Sequence, residues 1–151
     1  MSAERTRPDP RGERSRRALI DAGVELIAEV GWPGLTTRAI AQRAGLNHGL
    51  VHYYFGGLAD LRKEIASTVI ERSLLPVVDE LVTASDWSAA AAGFVARATV
   101  WSNSPESRQV AELIATALRD DDIGALTAAA LHDARQKTAG WLTQLGVSEP
   151  D

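Results

Sequence analysis

The run TTRAIAQRAGLNHGLVHYYF, from Thr36 to Phe55, constrains the fold more tightly than any other stretch of the chain. It reads as two short helices joined by a tight turn at Gly45. Thr37 is expected to cap the first, which runs to about Ala44, and Asn47 the second, from His48 to about Tyr54. Helices joined this way cross at a steep angle, so several positions are restricted together. Ala41 must be small where the second helix crosses, and Gly45 must supply a positive backbone dihedral. Ile40, Ala44, Leu46 and Val51 then close a small shared core. The other side of the second helix is left bare, and a bare helix on such a support fits the DNA major groove. A helical hairpin inside any bundle also shows a short helix, a glycine and a second short helix. What separates the two readings is that all the constraints hold at once.

The flanking sequence is helical as well. Leu19, Ala22, Gly23, Leu26, Ile27 and Val30 form one apolar stripe, broken by Gly31, Trp32, Pro33 and Gly34. A longer helix begins near Leu58 and carries Leu61, Ile65, Val69 and Leu74 until Pro76 kinks or splits it. Ser85 or Asp86 opens a helix to about Trp101, and Ser104-Pro105 opens another containing Val110, Leu113, Ile114 and Ala117. Asp120, Asp121 and Asp122 suit the positive end of a last helix, closed by Gly146. No strand alternation and no internal repeat is visible. The expectation is an all-α chain of seven helices: a flexible basic arm over 1–11, a three-helix head over 12–57 and a helical body over 58–151.

Charge is divided unevenly. The chain carries a net charge of -4, but up to Phe55 eight arginines face six acidic residues, so the front is +2 and the remainder -6. A basic head on an acidic body suits a protein that presents one end to phosphate. The absence of cysteine excludes disulfides and thiolate metal sites. No apolar run reaches bilayer length and the N-terminus lacks a signal peptide's hydrophobic stretch, so a cytoplasmic protein with no membrane partner is expected. His48 and His52 have metal-ligand spacing without a third ligand nearby. No zinc-protease, phosphate-loop or nucleophile-elbow motif occurs, and His132 beside Asp133 has no serine or cysteine partner. No enzyme activity, cofactor or metal is expected.

Between about Arg17 and Leu61 the chain resembles the TetR family of bacterial repressors. The resemblance rests on Ile27-Ala28-Glu29-Val30-Gly31, Thr36-Thr37, Ile40-Ala41, Ala44-Gly45-Leu46, Gly49 through Tyr54-Phe55, and Leu61. It implies a homodimer that binds a DNA operator through N-terminal heads, with a helical body that takes a small-molecule effector and then releases the DNA. It also implies that Tyr is usual at the position of His52 and Lys at that of Leu58, both as phosphate contacts. His52 can still donate a hydrogen bond. Leu58 cannot, so one phosphate clamp is missing. The resemblance further implies two more helices that form the dimer interface, so the body is expected to be C-terminally incomplete, with Ser148-Glu149-Pro150 as a linker.

Residue roles follow for the head. Thr37 and the backbone N–H groups behind it suit a phosphate oxygen, as does the Thr36-Thr37 pair generally. Arg14, Arg16 and Arg17 can neutralise phosphates, or be ordinary surface charge. Arg38 can reach phosphate or a guanine edge. On the second helix Asn47, His48, Gly49, Leu50, His52 and Tyr53 are the exposed candidates. Asn47 is a cap or a base contact, His48 a base contact, and Gly49 permits close approach. Leu50 suits a thymine methyl and Tyr53 phosphate or sugar. Tyr54 and Phe55 read as core.

In the body Trp87, Phe94 and Trp101 recur every seven residues on one helix face. That face reads first as core and second as the wall of a ligand pocket, with Arg97, Asn103, Arg108 and His132 as polar contacts. A ligand that prefers one of two body arrangements would weaken DNA binding, the helix from Leu58 toward Pro76 being the lever. The competing reading is a helical protein that binds a small molecule or a partner and has lost operator binding.

Overall fold

The computed structural model describes residues 10–101 and 104–146, and among these it contains eight α-helices and no strand. Helix α1 spans Pro10–Val30, α2 Thr37–Arg43, α3 Gly49–Phe55, α4 Leu58–Val69, α5 Leu75–Val82, α6 Trp87–Trp101, α7 Pro105–Ala117 and α8 Asp121–Gln144. A single 3-10 turn, Trp32–Gly34, links α1 to α2. Pro10 and Arg11 already belong to α1, because proline's fixed φ suits a first helical turn; the expected arm thus reaches no further than residue 9. The rest of that arm, Asn103 and Ser148-Glu149-Pro150 lie outside the described residues.

The helix that begins at Leu58 is split before Pro76, as expected, into α4 and α5. Ile70–Leu74 forms a π-helical turn in which the Leu75 N–H reaches the Ile70 carbonyl. Proline at 76 has no N–H to give, and its ring crowds the carbonyl four residues back; the wider turn absorbs that conflict. Caps set the other boundaries. Asp86 accepts the Ala89 N–H at 2.9 Å, Ser104 the Ser107 N–H at 3.3 Å and Asp120 the Ile123 N–H at 3.1 Å.

One apolar cluster runs through head and body. Leu19 and Ile27 of α1, Ile40 of α2, Val51 of α3, Leu61, Ile65 and Val69 of α4, and Leu113 of α7 are essentially inaccessible to solvent. Each contributes on the order of 1.5–3 kcal/mol by leaving water. The α1 stripe is buried as its spacing predicts up to Ile27, whereas Val30 is exposed. Gly23 permits the closest approach of α1 to α4: a Cβ there would lie 2.2 Å from Ile65 Cδ1.

Helix α6 behaves differently. Trp87 and Phe94 are 66% and 62% exposed, so the reading of this aromatic face as core does not hold for them; Trp101 is half-buried against the core. The reason is packing. Helix α6 lies chiefly against α5, and only Ala90 of its described side chains is buried. Trp87 finds one partner, stacking on Trp141 with ring centroids 6.5 Å apart. No helix among the described residues is long and apolar enough to cross a membrane.

Candidate nucleic-acid interface

The two short helices of the head are built by local chemistry. Thr36, in extended conformation, is the cap of α2 and accepts the Ala39 N–H at 3.1 Å, one residue before the cap position expected at Thr37. The turn closes with two bonds, Gly45 N–H to Gln42 O at 3.1 Å and Leu46 N–H to Ala41 O at 2.9 Å. This pair of bonds requires a left-handed residue, and Gly45 has φ +66° with open space where a side chain would stand. Asn47 then accepts the Gly49 N–H through Oδ1 at 2.8 Å and starts α3 as a side-chain turn. Val51 and Phe55 face inward and anchor the helix.

The opposite edge of α3 faces solvent. Asn47, His48, Gly49, His52 and Tyr53 are exposed, and Tyr53 is 78% accessible with its ring edge-on to Tyr54 at 4.9 Å. Leu50, expected on that bare edge, is instead half-buried and packs partly on the core. His52 Nδ1 lies 3.3 Å from the Gly56 carbonyl. With the proton on Nδ1 the ring donates inward, which leaves Nε2 as an outward acceptor.

The arginines divide into two groups. Arg14, Arg17 and Arg38 are exposed and pair with no described residue. Arg16 is held: its guanidinium reaches Glu64 of α4 at 2.5 Å and lies 5.1 Å over the Phe55 ring, bridging α1, α3 and α4. Arg43 is held too, bonding Glu29 through both terminal nitrogens at 2.5 and 2.8 Å and approaching Glu25 at 3.4 Å. The hydrogen bond from Arg43 keeps the Glu29 carboxyl below the usual carboxylate range. Thr36 is exposed, Thr37 half-buried, and Leu58 half-buried against the core at the start of α4. Among the described residues no cluster of three or more His, Asp or Glu could hold a metal ion.

Head and body are joined by polar bonds that nothing in the sequence announced. Arg62 of α4 donates to the Leu35 carbonyl at 2.8 Å. From α7, Glu112 accepts the Trp32 N–H at 3.0 Å and Gln109 donates to the Val24 carbonyl at 2.8 Å. Arg72 approaches Asp21 of α1 at 2.7 Å. Within the body, Lys63 approaches Asp122 of α8 at 2.7 Å. The Asp122 bond raises the Lys63 pKa.

In the body two adjoining cavities share Glu80, Gly93 and Arg97. One, of about 290 Å³, is an apolar slot between α5 and α6 walled by Val77, Val78, Leu81, Ala90 and Phe94. The other, of about 500 Å³ and open to solvent, takes in Arg72, Ser73, Trp101, Ser104 and Glu106. Phe94, Arg97 and Trp101 of the expected ligand set therefore meet here. Trp87, Arg108 and His132 line neither cavity, and Arg108 and His132 are exposed on other helices. Arg72 and Glu80 were missed because they stand on opposite sides of Pro76, Arg72 within the wide turn and Glu80 on α5, and that turn brings both to this face.

Known proteins share these features. Residues 19–65 match the sequence profile of the bacterial regulatory proteins of the tetR family. Over 44 residues, 29% of the chain, it is 48% identical to the HTH-type transcriptional regulator BetI of Burkholderia cenocepacia and equally to that of Burkholderia mallei. The matched stretch spans 23% of the length of those relatives. SCO7518 of Streptomyces coelicolor A3(2), a protein described as a transcriptional regulator, is 26% identical with a TM-score of 0.72, over 83% of this chain and 73% of that one. The multidrug binding protein EbrR, complexed with imidazole, shares the fold at 24% identity and a TM-score of 0.67, over 99% of this chain and 78% of that one. The glycine-turned head, residues 19–65, thus carries the sequence profile of the tetR family of bacterial regulatory proteins, and the all-helical chain shares the fold of these two solved structures.

Proposed function

We propose that the chain is a DNA-binding transcriptional repressor of the cytoplasm that acts as a homodimer on a palindromic operator and is released by a small-molecule effector. The bare edge of α3 carries this reading: His48, Gly49, His52 and Tyr53 are exposed together while Val51 and Phe55 anchor the helix from behind. His48 offers hydrogen bonds to a base edge, and Gly49 lets the backbone approach the groove wall. Arg14, Arg17 and Arg38 neutralise phosphates, and Thr36 and Thr37 at the start of α2 present a hydroxyl and backbone N–H groups to another. Arg16 and Arg43 are instead each neutralised by a carboxylate, Arg16 by Glu64 of α4 and Arg43 by Glu29 of α1. Two heads would engage successive major grooves about 34–36 Å apart.

The test is binding of a palindromic fragment from the neighbouring promoter across a salt series. A phosphate-tracking head gives affinity that falls steeply and linearly with the logarithm of salt concentration, by about 0.9 per phosphate neutralised. Affinity that is absent, or flat with salt, contradicts the proposal. A second reading, an effector- or partner-binding protein without operator binding, draws on the neutralised Arg16 and Arg43 and on Leu58 in place of a cation. The flat outcome would favour it.

A further inference from the structure

Arg72 joins an open, charge-lined pocket of the body to the head. It lines the pocket and also approaches Asp21 of α1 at 2.7 Å through Nη1. Asp21 Oδ1 is buried and accepts no aligned hydrogen bond, so the charge of Arg72 is what compensates that oxygen. Arg97, on the wall shared with the apolar slot, spends Nε and Nη2 on the single oxygen Oε2 of Glu80. Its Nη1 has no partner among the described residues. Of the two carboxylates in the pocket, Glu106 is satisfied at the start of α7, where its own backbone N–H and Ser104 hold it below the usual carboxylate range. Glu80 is half-exposed and can turn to water.

We propose that the double cavity takes an amphipathic carboxylate, its tail in the apolar slot and its head between Arg97 and Arg72, and that capture of Arg72 strips Asp21 of its counter-charge and loosens the head. A cationic ligand would meet one exchangeable carboxylate and two guanidiniums, whereas an anion meets unused guanidinium donors on both arginines. The bond it makes to Arg72 is made at the expense of the α1 contact, so ligand and head compete for one charge. That competition is the differential affinity a ligand needs in order to shift the balance between two arrangements. The proposal rests on the reading of the body as the effector-binding part of a DNA-binding regulator.

Octanoate, octylamine and octanol, titrated calorimetrically against the full chain without DNA, test the ligand class. Octanoate is expected to bind at least about tenfold more tightly than either analogue, and Arg97→Gln to remove about that factor. Asp21→Asn frees Arg72 in advance, so octanoate should bind it several-fold more tightly than the parent, which a merely structural aspartate would not bring about. Octanoate should also weaken the parent's hold on its promoter fragment, and do so less for Asp21→Asn. Circular dichroism establishes that Arg97→Gln is folded, and Asp21→Asn gives an answer independent of it. Octylamine or octanol binding as well as octanoate, or no octanoate binding, overturns the ligand class. Unchanged octanoate affinity in Asp21→Asn overturns the link to the head. Absence of DNA binding without ligand contradicts the regulator reading instead and leaves the calorimetric comparison intact.

Discussion

Gln109 of α7 donates from Nε2 to the carbonyl oxygen of Val24 in α1, 2.8 Å away, in a buried bond between body and head. The carbonyl also lies within the bonding pattern of its own helix, so replacing the amide by an apolar group of similar shape orphans nothing. Gln109→Leu is expected to lower stability by about 1 kcal/mol or less in thermal unfolding.

Gln109→Glu behaves differently, because a carboxylate would face a carbonyl in a buried site. Protonated, it can donate to Val24; ionised, it cannot, so its folded pKa lies above the unfolded value of about 4.3. The stability it contributes is therefore fully present below that unfolded value and is lost as pH rises through the folded pKa. Unfolding midpoints of Gln109→Glu and Gln109→Leu across pH 4–8 should diverge, the Glu variant losing ground as pH rises. Parallel curves would place the side chain outside the buried bond.

Gly45 and Gly23 are both needed, for unrelated reasons. At Gly45 a side chain has open space, and the cost lies in φ +66°; Gly45→Ala should lose on the order of 1–2 kcal/mol. At Gly23 the backbone is ordinary, but the new carbon meets buried Ile65; Gly23→Ala should lose about 1–3 kcal/mol through overpacking. Adding Ile65→Val should recover part of the Gly23→Ala loss and none of the Gly45→Ala loss, read by denaturant unfolding.

Arg43 and Arg17 are both basic residues of the head, yet among the described residues only Arg43 has a carboxylate partner. Arg17→Gln should reduce the salt dependence of DNA binding by about 0.9, while Arg43→Gln should leave it nearly unchanged. The Arg43–Glu29 pair has a stability role of its own. Because Glu29 is held below its ordinary pKa, that role is present above the unfolded carboxylate value and fades as pH falls through the folded one. Equal salt slopes for the two variants would show that Arg43 leaves its partners on DNA.

Leu58 stands at the start of α4, where the family resemblance implies a lysine. Leu58→Lys should steepen the salt dependence by about 0.9 while costing about 1 kcal/mol of stability, since Leu58 packs partly on the core. A gain in stability without any change in salt dependence would argue that this end of α4 does not approach phosphate.

The head was legible in the sequence because its constraints are local. Gly45, the Asn47 turn, Ile40, Ala41 and Val51 each satisfy a neighbour within a few residues, and patterning of that range is what sequence carries best. The body's helix starts at Asp86, Ser104-Pro105 and Asp120 were legible for the same reason. What was not legible depends on distant partners. Nothing near Arg16 or Arg43 in the chain predicts that Glu64, Glu25 and Glu29 would neutralise them, and nothing near Gln109 or Glu112 announces α1. The wide turn before Pro76 decides which residues of α5 face α6, so the cavity could not be assembled from the α6 aromatics alone. The heptad of Trp87, Phe94 and Trp101 shows where that reasoning stops: correct spacing on one face says nothing about whether a neighbour covers it.

The most direct measurement is the affinity of the parent and of His48→Ala for the promoter palindrome, set against a scrambled duplex at the same salt concentration. If the bare edge of α3 reads bases, the parent prefers the palindrome, and His48→Ala narrows that preference by about 1–3 kcal/mol while binding the scrambled duplex as before. A parent that holds both duplexes equally, or a variant that keeps the full preference, would contradict the assignment of that edge.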